Sequence, residues 1–256
     1  MDLGLQGRTY IVTGGTRGLG YAVAEALAGE EANVVVLSRK DESVRGAVES
    51  LGDRARGVAA DLRDADTPRR AIDASRESFG SLHGAFVSHG GPPLGPALEL
   101  DDETLGESLE IATVGPIRLV REVAKELPEG GAIAVLTSWT SVEPVAGLAS
   151  SNVARPATWG YLKTLADEVA PRGVRVNAVF CGRFATERQV ELLTNMAGRR
   201  GSTLEEVRRE AEGKIPLGRM GDPKELGRVA AFLLSPAASY VTGTGWIIDG
   251  GLVRGL

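Results

Sequence analysis

Three glycines near the N-terminus have the spacing that contact with phosphate groups requires. Residues 13–20 follow a β-branched and aromatic run and precede apolar residues at helical spacing. Gly14 allows a tight turn, Gly18 lets the backbone approach a pyrophosphate, and Gly20 lets helix and strand pack closely. In a chain with 34 glycines the spacing alone is weak, so the flanking strand and helix carry the prediction. We assign this dinucleotide-binding turn the residues Gly14, Thr16, Arg17, Gly18, Leu19 and Gly20.

The residues after the second predicted strand indicate which dinucleotide binds. A ribose 2′-hydroxyl is usually held by an acidic residue about 20 positions after the glycines, but Ser38, Arg39 and Lys40 stand there. These two cations, with Arg17 as a third, suit bidentate contacts with a 2′-phosphate. We therefore predict NADP (NADPH) as cofactor; the alternative is that Arg39 and Lys40 form a solvated loop. Asp61 follows the third predicted strand and is placed to accept a hydrogen bond from the adenine amino group.

Length and composition indicate one intracellular domain. The chain has 256 residues, of which 43% are hydrophobic and 25% charged, as is usual for a soluble globular domain. A formal net charge of −5 argues against a nucleic acid or an anionic membrane as partner. The lone Cys181 excludes an internal disulfide, residues 1–6 lack signal-peptide features, and no apolar run has membrane-spanning length. We predict a single domain over 1–256, a cytoplasmic location and no metal site.

Strand and helix patterns alternate along the chain. Strand-like runs lie at 33–37, 56–60, 84–87, 132–137 and 173–179, and helical patterns at 41–51, 64–79, about 101–127 and 150–170. This alternation implies right-handed crossovers and an α/β fold of the Rossmann type, a doubly wound parallel sheet with helices on both faces. The polar segment 187–213, whose helical patterns are broken by Gly198 and Gly201, is expected to form a mobile lid.

Several motifs in a fixed order resemble the short-chain dehydrogenase/reductase family. They are the glycine loop, Asp61-Leu62, Ser88-His89-Gly90-Gly91, Ser138, and the runs at 176–179, 240–243 and 249–251. The resemblance covers nearly the whole chain and is closest to the branch containing 3-oxoacyl-carrier-protein reductases. It implies hydride transfer between NADP and a small carbonyl or alcohol substrate, and a homo-oligomer, either tetramer or dimer. It also implies further cofactor contacts from Leu62, Gly90, Arg155, Gly182 and Thr186.

The chain departs from the catalytic residues that this resemblance implies. The family uses a Ser, a Tyr, a Lys four residues after the Tyr, and an Asn on the preceding helix. Ungapped counting from neighbouring motifs places Ser151 at the Tyr position, Arg155 at the Lys position and Ala112 at the Asn position. Only Ser138 is unchanged. Ser138, Ser151 and Arg155 are therefore the candidate catalytic residues, and the spacing of four keeps the last two on one helix face.

These replacements alter the acid–base chemistry. Reducing a carbonyl requires a proton as the hydride arrives, and a useful donor has a pKa near the working pH. Serine is far less acidic than tyrosine, and Arg155 stays protonated, so it suits ribose hydroxyls or an alkoxide rather than proton transfer. His89 has a suitable pKa for a replacement donor, with a hydrogen-bonded turn residue as the simpler interpretation. Cys181 is expected to fill space, and Tyr161 to pack, since its spacing does not match the motif.

Two functions of different class fit these residues. The first is an NADP-dependent oxidoreductase in which Ser138 and Arg155 polarise a carbonyl and the proton comes from water, substrate or His89. The second is an NADP-binding protein of the same fold whose chemistry has lapsed, serving as a sensor or partner subunit. The segment 187–213 favours the enzyme, because a lid closes over a small substrate.

Overall fold

A computed structural model describes residues 2–255, and its centre is one parallel sheet. The strands follow the order β3-β2-β1-β4-β5-β6-β7 across the sheet. They are β1 (Thr9–Thr13), β2 (Asn33–Ser38), β3 (Ala55–Ala59), β4 (Gly84–Val87), β5 (Ala132–Ser138), β6 (Arg175–Cys181) and β7 (Gly245–Ile248). The predicted single-domain, doubly wound α/β fold is confirmed.

Helices cover both faces of this sheet. They are α1 (Gly18–Gly29), α2 (Asp41–Leu51), α3 (Thr67–Phe79), α4 (Asp102–Leu109), α5 (Gly115–Glu126), α6 (Ala149–Val169), α7 (Glu187–Arg200), α8 (Leu204–Gly213) and α9 (Pro223–Leu234). Apolar residues of α3, α5 and α6 pack on one face, and those of α1, α2 and α9 on the other. Among these helices of the described range, none has both the length and the apolar character needed to cross a bilayer.

The apolar runs of the sequence become strands because both of their faces are buried. In β2, Val34 and Val36 point to the α1, α2 and α9 side, while Val35 and Leu37 point to the α3, α5 and α6 side. All four side chains are almost completely buried. A strand covered on both faces has a continuous apolar sequence rather than an alternating one. This explains why the apolar run predicted β2.

The helix predicted over about 101–127 contains an irregular turn. Asp101 caps α4 by accepting the backbone N–H of Thr104 at 2.7 Å, in agreement with the predicted acidic start. Residues Glu110–Val114 then form a π-helical turn that joins α4 to α5. Such turns frequently lie at functional sites, and this one includes Ala112.

The segment 187–213 forms two helices with a small apolar core of their own. Gly198 lies inside α7, and the interruption comes only at Gly201, whose φ of +65° ends the helix. The sequence prediction of a break at Gly198 was therefore wrong, since an exposed glycine within a helix is tolerated at a modest cost. The apolar cluster that joins this segment to the chain after it consists of Leu193, Ala197, Val207, Ala211, Ile215 and Met220.

The strand order reverses at the centre of the sheet and creates a crevice there. Connections run outward from β1 through β2 and β3 on one side, and from β4 through β7 on the other. In open sheets of this kind ligands bind at the carboxyl ends of the strands beside the reversal. The glycine loop leaves β1 at this edge, Ser88 follows β4, and Ser138 ends β5. The topology thus gathers residues that are far apart in sequence.

Candidate active site

One cleft at the carboxyl edge of the sheet collects the predicted cofactor residues. Its wall includes fourteen residues predicted to contact a cofactor, namely Gly14, Thr16, Arg17, Gly18, Leu19, Gly20, Ser38, Arg39, Asp61, Leu62, Gly90, Arg155, Gly182 and Thr186. Lys40, the second cation predicted beside Arg39, is not on this wall. Ser138 lines the same cleft, whereas Ser151 is not part of its wall. The fourteen positions come from six separate stretches of sequence, so their meeting is a property of the fold.

The glycine loop has a backbone that side chains would disturb. Gly14 and Gly18 both have φ of +58°, a conformation that glycine adopts without strain. A Cβ added to Gly20 would overlap the carbonyl oxygen of Gly14. Thr13 holds the loop against Ser88, which follows the neighbouring strand β4. Its Oγ1 donates to the Ser88 carbonyl at 2.6 Å and accepts the Ser88 N–H at 2.9 Å. The loop is therefore a rigid concave surface that opens onto the N-terminus of α1.

The far end of the cleft, beside β2 and β3, is rich in arginine. Arg17 approaches Glu187 of α7 to 3.7 Å in an exposed pair. Asp61 receives both Nε and Nη2 of Arg63, at 3.1 and 2.7 Å, and this hydrogen bonding holds the pKa of the Asp61 carboxyl below its ordinary value. Arg39 adds a further cation to the same wall. Sequence reasoning did not single out Arg63, although its place two residues after Asp61 was a signal.

Arg155 is the most unusual side chain of the cleft. It is only 8% exposed, and its Nη1 lies 3.1 Å from Nε2 of His89 and 3.2 Å from the Leu136 carbonyl. Its Nε is buried without a partner, and no carboxylate of residues 2–255 forms an ion pair with it. Burial lowers the pKa of Arg155 to about 10, so the guanidinium remains charged at neutral pH. The cleft floor thus carries an uncompensated cation.

His89 lies within hydrogen-bond distance of Arg155. Its Nδ1 lies 2.8 Å from the Gly90 carbonyl, which can only accept, so Nδ1 carries the ring proton. The Nε2 atom is then the acceptor for Arg155. Burial and, to a smaller extent, the Arg155 charge lower the pKa of His89 to about 3, which keeps the ring neutral. Both ring nitrogens of His89 therefore have a hydrogen-bond partner within the protein.

Ser138 and Ser151 differ in what their hydroxyls can reach. Ser138 Oγ accepts the backbone N–H of Thr140 at 3.2 Å, which leaves its own proton available to the cleft. Ser151 is 9% exposed, and its Oγ lies 3.0 Å from Oγ1 of Thr140. The structure therefore brings Ser138 and Arg155 to the cleft and leaves Ser151 behind it, one helical turn before Arg155 on α6.

The π-helical turn is tied to α6 by two hydroxyl groups. Thr158 Oγ1 donates to the Ala112 carbonyl at 2.7 Å, and Thr113 Oγ1 donates to the Ala154 carbonyl at 2.9 Å. Ala112 itself is fully buried. Its carbonyl accepts the Thr158 hydroxyl, and its methyl side chain has no polar group that could join a proton relay.

Comparison with known proteins decides the family. Residues 14–253 match the family model described as enoyl-(acyl carrier protein) reductase. The chain belongs to the short-chain dehydrogenase/reductase family. It is 33% identical to the tropinone reductase-like 3 protein of Erythroxylum coca over 251 residues, which are 96% of this chain and 93% of that protein. It is 28% identical to the 3-oxoacyl-[acyl-carrier-protein] reductase of Vibrio cholerae, covering 98% of this chain and 99% of that one.

The family's solved structures share the whole architecture. An L-sorbose reductase from Gluconobacter frateurii, complexed with NADPH and L-sorbose, superposes with a TM-score of 0.94 at 28% identity and covers 100% of both chains. This family membership makes the chain an oxidoreductase of the reductase and dehydrogenase type. The predicted family resemblance is confirmed.

Two residues that sequence reasoning weighed as alternatives have structural roles. Cys181 donates its Sγ–H to the Thr137 carbonyl at 3.2 Å, and burial raises the pKa of the thiol. It is therefore a poor nucleophile. Tyr161 packs against the core between the sheet and α3, α5 and α6 rather than on the cleft wall, as its spacing indicated.

Proposed function

We propose that this family member is an NADP(H)-dependent oxidoreductase that reduces a carbonyl group through Ser138 and Arg155. The observation that carries the proposal is the buried, unpaired guanidinium of Arg155, held by His89 in the same cleft as the glycine loop and Ser138. Arg155 takes the place of the family's lysine, and Ser151 occupies the place of its tyrosine without facing the cleft. The proposed reaction, carbonyl reduction by hydride transfer, is that of the family, whereas the proton donor is not the family's tyrosine.

The cleft fits a phosphorylated dinucleotide. A Cβ at Gly20 would close the loop onto Gly14, and the positive φ of Gly18 keeps the backbone open beside the N-terminus of α1. Ser38, Arg39 and Arg17 would hold a 2′-phosphate, and Gly182 and Thr186 the nicotinamide end. When bound, NADPH supplies the hydride. The L-sorbose reductase crystallised with NADPH supports this choice of cofactor.

Ser138 and Arg155 would stabilise the negative charge that develops on the substrate oxygen. As the carbonyl carbon gains a hydride, its oxygen becomes an alkoxide, and donors aimed at that oxygen lower the barrier. Ser138 offers its hydroxyl proton, and Arg155 offers a fixed positive charge at low dielectric. The alkoxide then takes a proton from water, because His89 is neutral and fully hydrogen-bonded and Ser151 lies away from the cleft.

Removing Arg39 should weaken NADPH binding selectively. The Arg39→Ala variant loses a charge-assisted contact with the 2′-phosphate, a change of about 1.5–3 kcal/mol, while NADH binding changes far less. Fluorescence titration of both cofactors measures this, with Arg45→Ala as control because Arg45 pairs with Asp41 on α2, outside the cleft wall. Equal affinity of the wild type for NADPH and NADH would contradict the phosphate assignment.

A second candidate function is an NADP-binding sensor or partner subunit without turnover. The position of Ser151, whose hydroxyl contacts Thr140 instead of the cleft, favours it. Tight NADPH binding without oxidation by any carbonyl compound would support this candidate over the reductase. In either case we propose a cytoplasmic homo-oligomer, as the family resemblance implied; the half-exposed Val114, Val153 and Ile247 fit burial between subunits.

A further inference from the structure

The cleft carries more positive charge than its own acidic residues balance. The two acids on its wall, Asp61 and Glu187, are each paired with an arginine at the cofactor end. The other arginines of the wall that lack an ion pair within the described chain include Arg155, Arg183, Arg188 and Arg199. This surplus occurs in a protein whose formal net charge is −5. Charge of one sign in a cleft selects ligands of the other sign.

Two of these arginines contact the same short turn, which contains His89 and Gly91. Arg155 reaches it from α6 through Nε2 of His89, at 3.1 Å. Arg188 reaches it from α7 through the Gly91 carbonyl, which its Nη2 donates to at 3.2 Å. His89 and Gly91 are two residues apart, so both guanidinium groups contact the same turn. A Cβ at Gly91 would overlap the Arg188 guanidinium, so this flexible side chain would have to shift.

Nothing in the described chain neutralises the two cations. Each has a neutral acceptor only, a ring nitrogen or carbonyl oxygens, and Arg155 Nε has no partner at all. Burial is the main cause that lowers the pKa of Arg155; Cys181 opposes it, and the charge of Arg188 makes a smaller contribution in the same direction as burial. An anion bound between them would satisfy free N–H groups and remove the repulsion. Paired guanidinium groups suit a carboxylate or phosphate oxygen pair.

The cofactor's pyrophosphate is expected away from Arg155. It belongs at the N-terminus of α1 beside β1, whereas Arg155 contacts Leu136 of β5, two strands away and about 10 Å across the sheet. One face of α7 borders the same space, with Arg188, Leu192 and Met196 at helical spacing on the cleft wall. The occupant is therefore a small anion with an apolar body.

We propose that the substrate carries a carboxylate or phosphate group beside its reactive carbonyl, and that Arg155 and Arg188 bind this group between them. The proposal rests on the reductase function above and narrows it to acidic carbonyl compounds. Arg188 acts as a specificity residue, because it lies on α7 and would contact the acidic group of the substrate rather than its reacting oxygen.

Binding of an isosteric pair of probes tests this inference without turnover. Benzoate and benzamide have the same shape and differ in charge, and calorimetric titration into the NADP⁺-loaded protein gives both dissociation constants. We expect benzoate to bind about 10- to 100-fold more tightly than benzamide. The preference should be lost in Arg188→Gln and kept in Arg208→Gln, which removes a cation from α8 that pairs with Glu212. Titration of phenyl phosphate beside benzoate distinguishes a phosphate site from a carboxylate site, since the anion that fits the site should bind more tightly.

The outcomes separate this inference from the reductase function. Equal affinity for benzoate and benzamide, or an undiminished preference in Arg188→Gln, overturns the anion site even if neutral ketones are reduced. A benzoate preference that depends on Arg188 upholds the anion site even if no carbonyl compound is turned over. An exposed arginine such as Arg188 can be replaced without unfolding, and thermal melting of each variant checks this.

Discussion

Replacing Arg155 by glutamine should lower kcat for carbonyl reduction by about 100- to 1,000-fold. That is the usual effect of removing one donor aimed at a developing oxyanion, and Arg155 is a buried charged donor on the wall of this cleft. Arg155→Lys keeps the charge but loses the planar guanidinium, whose Nη1 contacts both His89 and Leu136, so it should recover only part of the rate. Steady-state NADPH oxidation by the three proteins gives the comparison.

The loss in Arg155→Gln should not come from unfolding. A buried cation without a carboxylate partner is itself unfavourable, so we expect the melting temperature to stay the same or rise. Arg228→Gln is a matched control, because Arg228 is exposed on α9 and donates only to the Lys224 carbonyl. Full activity in Arg155→Gln, with normal NADPH binding, would show that Arg155 has no part in the chemistry.

Changing Gly20 to alanine should disable the cofactor loop. The new Cβ would overlap the Gly14 carbonyl and contact that of Thr13, so the loop must shift away from the geometry that receives phosphate. We expect a loss of about 1–3 kcal/mol in the free energy of unfolding, as overpacking usually costs, and an increase of about 10- to 100-fold in the dissociation constant for NADPH. Urea unfolding and fluorescence titration measure the two quantities.

Gly46 provides the matched control for this substitution. It lies within α2, and a Cβ added there meets nothing within 4 Å. Gly46→Ala should therefore stabilise the protein by about 0.5–1 kcal/mol through helix propensity and leave NADPH binding unchanged. A Gly20→Ala protein that binds NADPH like the wild type would contradict the assignment of the loop.

The sequence was a good guide to the fold because the decisive signals are local. The limits of α2 and β4 came out as predicted, since acidic residues begin the helix at Asp41 and a buried apolar run makes up the strand. The glycine loop was readable for the same reason, as each glycine has a backbone task that no other residue performs as well. The prediction failed at Gly198 because an exposed glycine inside a helix has the same sequence pattern as a glycine that ends one.

The site was only partly readable because its contacts join distant residues. The hydrogen bond between Arg155 and His89 spans 66 positions in sequence, and no local pattern announces it. The spacing of four predicted that Ser151 and Arg155 share one helix face. It did not predict that the short Ser151 side chain contacts the Thr140 hydroxyl. The approach of Arg188 to Gly91 depends on how α7 packs over the cleft, which tertiary structure alone determines.

The most direct test of a reductase site without tyrosine is NADPH oxidation by the wild type and by Ser138→Ala. Activated ketones, quinones, β-ketoacyl thioesters and phenylglyoxylate serve as substrates, with Ser50→Ala on α2 as control. We expect slow turnover of at least one carbonyl compound, about 100- to 10,000-fold below a site with a positioned acid, and a further fall of about 100- to 1,000-fold in Ser138→Ala. Turnover that Ser138→Ala leaves unchanged would contradict the assignment of this cleft as the active site.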